Sequence, residues 1–197
     1  TSTVVDTIDA EGVDSDEDLD ADQLDGSFEG DVHTLRNEGI SISLGDTDAV
    51  APVGGDEAQA NYEIEFMVEA FGSDFWIEKT TARDATADGS DGVEFVIEDG
   101  SGTVYATGTV ASSLSSGTES GDNSYGFKVS EGSSRTFTLL VTLDNDGASE
   151  VAGFYRTQIT GISFDADGVA GGESFISSGL EDYETDTRFV DNDDTAN

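Results

Sequence analysis

The residues best equipped for chemistry are carboxylates. In the run Asp14-Ser-Asp16-Glu-Asp18-Leu-Asp20-Ala-Asp-Gln-Leu-Asp25, oxygens fall at positions 1, 3, 5, 7 and 12 of a twelve-residue loop, the spacing by which calcium loops collect ligands. Asp14, Asp16, Asp18, Asp20 and Asp25 are thus candidate calcium ligands. The match is partial, because Leu19 stands where the sharp turn wants Gly and Asp25 replaces the longer bidentate Glu. Asp165-Ala-Asp167-Gly168 offers a second, smaller oxygen pair, and Asp144-Asn145-Asp146-Gly147 and Asp88-Gly-Ser-Asp91-Gly92 have similar composition. Asp and Gly are also what tight turns demand, and with 27 aspartates in the chain such spacing arises readily by chance. No cofactor is required by any motif, and calcium is the one ion the spacing invites.

Catalysis is not expected. His33 is the single histidine and cysteine is absent, which removes thiol nucleophiles, disulfides and thiolate metal sites and leaves no triad or zinc set. Among 44 acids any carboxylate spacing occurs, so a glycosidase-like pair carries no information. Phe75 and Trp76 could stack on a sugar, but Phe71, Phe75 and Ile77 form a continuous apolar neighbourhood that argues for core. Arg156 and Arg188, set among acids, are expected to form structural ion pairs. There is no Asn-X-Ser/Thr acceptor for N-glycans.

Seven basic against 44 acidic side chains give a net charge of −37 over 197 residues. Such a surface repels nucleic acid, and no segment approaches the roughly 20 apolar residues of a membrane span. Self-repulsion on this scale opposes folding unless it is screened; at about 1 M salt the Debye length falls to roughly 3 Å. A high-salt setting is the simplest expectation, and scarce lysine with abundant small residues agrees with it. The opening at Thr1, with no Met and no apolar leader, is read as that of a mature, processed chain.

The elements that must position these groups are strands. Tyr62, Ile64, Phe66 and Val68 alternate with Glu63, Glu65 and Glu69, a period-two pattern no helix produces. Ile40, Ile42 and Leu44 alternate with serines, Val93, Phe95 and Ile97 with Glu94 and Glu98, and Phe137, Leu139, Val141 and Leu143 with threonines. In the run from Phe154 to Phe164 the apolar phase slips across Thr160-Gly161, as a bulge requires. One short turn or helix is allowed over 14–24, and the Ser- and Gly-rich stretch 111–123 reads as a flexible surface loop. The fold class is therefore all-β, an antiparallel, jelly-roll-like β-sandwich with an acidic N-terminal arm. The arm spans 1–31, with twelve acids and no Lys or Arg; the sandwich spans 32–190, and an acidic tail spans 191–197.

The runs from Tyr62 to Ile77 and Gly92 to Ile97, with Glu131-Gly-Ser-Ser-Arg135-Thr-Phe-Thr-Leu139, Gly153-Phe-Tyr-Arg156-Thr-Gln158-Ile-Thr-Gly-Ile162 and Asp182-Tyr183-Glu-Thr-Asp186, resemble a domain recurrent in secreted surface proteins of uncultivated, small-genome bacteria. The resemblance covers roughly 40–190 and implies an extracellular β-sandwich without catalytic residues. A looser similarity, in the order of leading strand, sandwich and Thr-Phe-Thr-Leu strand, is to the TasA and camelysin family of fibre-forming jelly rolls.

Within the arm, Ser2 to Ile8 stands apart: Thr3, Val4, Val5, Thr7 and Ile8 favour extended structure. Seven extended residues span about 20 Å, enough to lie along a sheet edge. The function expected is a secreted structural subunit that polymerises with copies of itself into a cell-surface filament by strand addition. Pairing of the same strand with its own sandwich is the alternative for that segment. A surface-layer or capsid-like jelly roll, or a monomeric calcium-dependent module that binds a surface glycan or cell-envelope partner, are the other classes open.

Overall fold

The computed structural model describes residues 10–11, 18–19, 37–51, 57–84, 92–147, 150–171 and 173–192. The chain divides into two compact units, Thr1–Leu35 and Arg36–Asn197. In the first, β1 (Ala10–Glu11) and β2 (Asp18–Leu19) pair antiparallel, Ala10 opposite Leu19 and Glu11 opposite Asp18. Asp18 and Leu19 are therefore strand, and the rest of 14–24, where a short turn or helix is expected, lies outside the described residues.

The second unit is a β-sandwich. One sheet has the order β3 (Gly39–Val50), β4 (Gln59–Phe71), β10 (Ser134–Asp144), β8 (Thr109–Ser116). The other has the order β6 (Thr81–Arg83), β7 (Val93–Asp99), β11 (Gly153–Asp165), β5 (Phe75–Glu78), β9 (Gly126–Val129), and β12 (Ser174–Ile176) and β13 (Arg188–Val190) also pair with β11. All ladders are antiparallel except β6 with β7. Among the described residues no helix is long and apolar enough to cross a membrane.

The alternation dictates the core. On β4, Ala60, Tyr62, Ile64, Phe66, Val68 and Ala70 are fully buried, and the register sets the first five against Leu143, Val141, Leu139, Phe137 and Arg135 of β10. Phe66 and Phe137, directly opposite, stack with ring centroids 5.4 Å apart. From the second sheet Phe75, Ile77, Val93, Phe95, Ile97, Ile159 and Ile162 meet them. At about 1.5–3 kcal/mol for each large side chain, this burial is the main term holding the sheets together.

Two glycines shape the second sheet. Segment 75–83 first pairs with the end of β11, Ile77 opposite Phe164, and then with β7, Thr81 opposite Val93, so β7 enters as a wedge between it and β11. The wedge begins at Gly92, whose φ is +66° and whose added Cβ would stand 2.3 Å from the Thr80 carbonyl oxygen. Only glycine fits both demands. On β11 the register slips between Ile159 and Gly161, the expected bulge; a Cβ on Gly161 would stand 2.1 Å from the Phe175 ring.

Three expectations need correction. The stretch 111–123 is not a loop throughout, because 111–116 belongs to β8, an edge strand on β10; Ser113 and Ser115 face outward, while Val110 and Leu114 pack on the core and Ser112 and Ser116 share their inward side. Glu94 does not face solvent. It is fully buried on the outer side of β7, beside Gly161 where the Phe175 ring covers the sheet. Trp76 is half-buried outside the intersheet core, since β5 turns Phe75 and Ile77 inward and Trp76 outward. There its indole donates to the Gly121 carbonyl at 3.0 Å, Gly168 lies against the ring, and the Lys128 ammonium stands 5.4 Å from its centre.

Candidate functional site

The two flanks of the sandwich differ. On one, β6 and β8 are joined: Thr81 Oγ1 and Ser112 Oγ are 2.9 Å apart, and the Arg83 guanidinium donates to the carbonyls of Tyr105, Thr107 and Gly108. On the other flank β3 ends the first sheet, and among the described residues nothing pairs with its outer edge. In the second sheet β13, off the main strand order, pairs only with β11 among those residues and approaches β4.

Register shows what this flank leaves uncovered. Opposite residues of a ladder share a face, so Ile40, Ile42, Leu44, Thr47 and Ala49 of β3 point inward with Ala70, Val68, Phe66, Ile64 and Tyr62 of β4. The β4 members are wholly buried, whereas Leu44 is 39% exposed and Thr47 is exposed too. A leucine on the core side of a strand, open to water, marks a sheet wider than the layer beneath it. The bulge between Leu44 and Thr47 sits in this stretch.

A cleft of about 630 Å³ opens on the same flank, lined by Ala51, Glu57, Gln59, Thr187 and Arg188 together with Phe154 and Phe189. On β13, Arg188 shares the inward side with Tyr155 and Val190, while Phe189 and Phe154 pair on the outer face with ring centroids 5.4 Å apart. Tyr62 lies close by. Burial raises its phenol well above the ordinary tyrosine value, with the Arg188 charge acting the other way, and the hydroxyl donates to the Tyr155 carbonyl at 3.1 Å.

The cations are otherwise accounted for among the described residues. Arg156 pairs with Glu98 at 2.9 Å and Glu184 at 2.7 Å, as expected. Lys128 pairs with Asp74, Lys79 donates to the Asn123 carbonyl, and Arg135 is held by Asp122. Arg188 breaks the expectation: among the described residues no carboxylate lies within ion-pairing distance, and its buried Nε has no hydrogen-bond partner. Pairing of β13 with β11 puts Arg188 on the inward side of the strand, where it lines the cleft with Gln59, Ala51 and Glu57.

Of the sequence-derived site residues, Thr3, Val4, Val5, Thr7, Ile8, Asp14, Asp16, Asp20, Asp25 and His33 lie outside the described residues, and Asp18 is described only as a strand residue of β2. Asp165 serves its own turn, its Oδ1 accepting from the backbone N–H groups of Asp167 at 2.5 Å and Gly168 at 2.8 Å, while Asp167 is exposed. The Asp144–Gly147 turn works similarly, with Asp144 Oδ1 accepting from the Asp146 N–H at 3.1 Å. Asn145, read from sequence as a turn residue, is a buried junction that donates to the carbonyls of Val151 and Asp191. Among the described residues no three His, Asp or Glu side chains are grouped to hold a metal.

Reading the sequence alone missed Arg135. It occupies the inward phase of Phe137, Leu139 and Val141, and a cation in a core row signals a built acceptor set. No protein-family model, curated protein or solved structure matches the chain.

Proposed function

We propose that this chain is an extracellular structural subunit which polymerises into a cell-surface filament in high salt, Ser2–Ile8 of one copy adding as a strand to the open flank of the next. The observation that carries this reading is the uncovered middle of the inward row of β3, with Thr47 exposed and Leu44 39% exposed opposite a fully buried Phe66. An extended segment beside β13 would cover that row and satisfy main-chain groups along a free edge. Elsewhere the −37 charge opposes association, so pairing is confined to the flank. The resemblance to secreted surface domains points the same way.

Electron microscopy of the chain in molar salt, beside a form lacking residues 1–9, tests the reading. Filaments are expected from the first and dispersed folded particles from the second. Filaments that survive the deletion would sink it. A second reading, a monomeric glycan-binding module, is favoured by the exposed Phe154–Phe189 pair. It requires folded monomers in molar salt and glycan binding that Phe189→Ala removes.

A further inference from the structure

We propose that Arg188 is the receptor for the Asp6 carboxylate of a second copy, and that this ion pair sets the register of strand addition. The inference rests on the strand-addition reading above and names the groups that make it specific.

Arg188 is anomalous in its setting. The chain carries 44 acids, yet this half-buried guanidinium has no ion pair or hydrogen bond among the described residues, and its Nε is closed to solvent. Glu57, the acid on the cleft rim, is not within pairing distance. A desolvated donor without an acceptor is unfavourable, and the fork of a guanidinium is shaped to take a carboxylate in two parallel hydrogen bonds. The cleft of about 630 Å³, where Ala51, Gln59 and Thr187 stand beside Arg188, thus fits an anionic group delivered from outside.

The incoming strand matches in pattern. With a period of two, Val4, Asp6 and Ile8 share one face, and Thr3, Val5 and Thr7 share the other. Asp6 is the single acid between Ser2 and Ile8. When its carboxylate meets Arg188, Val4 and Ile8 lie about 7 Å along on either side, on the face turned to the sandwich. A slip of one residue would turn Asp6 away and set Val5 or Thr7 against the guanidinium, so the pair discriminates register.

Charge reversal tests this in the full chain. Asp6→Arg and Arg188→Asp are each expected to remain folded by thermal melting and to give no filaments in molar salt. Mixed, the two variants should form filaments again, because every junction then joins opposite charges; the double variant should do so alone. Arg188→Gln, which removes charge without reversing it, should raise the concentration needed for assembly about tenfold. Single variants that assemble like the parent chain would overturn the Arg188 assignment while leaving strand addition intact, provided deletion of residues 1–9 still stops assembly. Variants that fail and are not restored by mixing overturn it as well. A parent chain that never assembles removes both readings together.

Discussion

Arg135 and Asp122 grip each other in a two-pronged pair, Nη1 2.6 Å from Oδ1 and Nη2 2.9 Å from Oδ2, at a point where β10 carries its cation into the core row. The guanidinium also donates to Ser116 Oγ and the Lys128 carbonyl, and its Cζ lies 5.0 Å from the Phe127 ring centre. The Arg135 hydrogen bonds, joined by N–H groups of the 119–128 segment and opposed by burial, hold the Asp122 carboxyl far below the ordinary aspartate value.

That depression fixes a pH dependence. Since the folded value lies below the unfolded one near about 3.9, the pair contributes its full stability above that pH and loses it progressively as pH falls further. Asp122→Asn should cost about 3 kcal/mol at neutral pH, and the gap to the parent chain should narrow in acid. Urea unfolding at constant salt between neutral and acid pH measures it; a gap independent of pH would refute the assignment.

Gly92→Ala should destabilise by about 3 kcal/mol, because the new methyl group meets the Thr80 carbonyl in a left-handed backbone conformation. The loss should appear as a lower urea midpoint with an unchanged slope.

Leu44→Lys places a charge on the uncovered row of β3. Unfolding free energy should shift by less than about 1 kcal/mol, as for other exposed sites, while filament formation in molar salt is lost. Retained assembly would separate the flank from polymerisation.

Salt itself is a variable. Moving from about 0.1 M to 1 M ionic strength shortens the Debye length from roughly 10 Å to 3 Å, and the melting temperature should rise on the order of 10 °C. Calorimetry across a salt series reads this directly, and a flat response would show that the −37 charge costs the fold little.

The strands with the cleanest alternation were legible from sequence, because Tyr62 to Val68 and Phe137 to Leu143 each bury one face and wet the other. The Gly161 bulge was legible for the same reason, as a slip of phase. β8 was not, since an edge strand half in water tolerates the serines that also build loops. The parallel entry of β7 depends on Gly92 meeting Thr80, a contact between turns that no local pattern encodes. Arg188 misled for a related reason. Its neighbours in sequence are acids, but strand pairing, not sequence proximity, decides which way a side chain points.

The position of β11 has a temporal consequence. This strand, Gly153–Asp165, joins 75–77 and 93–99 to 174–190, so the second sheet has no spine until the last quarter of the chain is available. β4 can pair early with its sequence neighbour β3, but β8 and the rest of that sheet must wait for β10. Such a topology folds slowly and nearly all at once. The second sheet therefore stays open until β11 and the strands after it have been made.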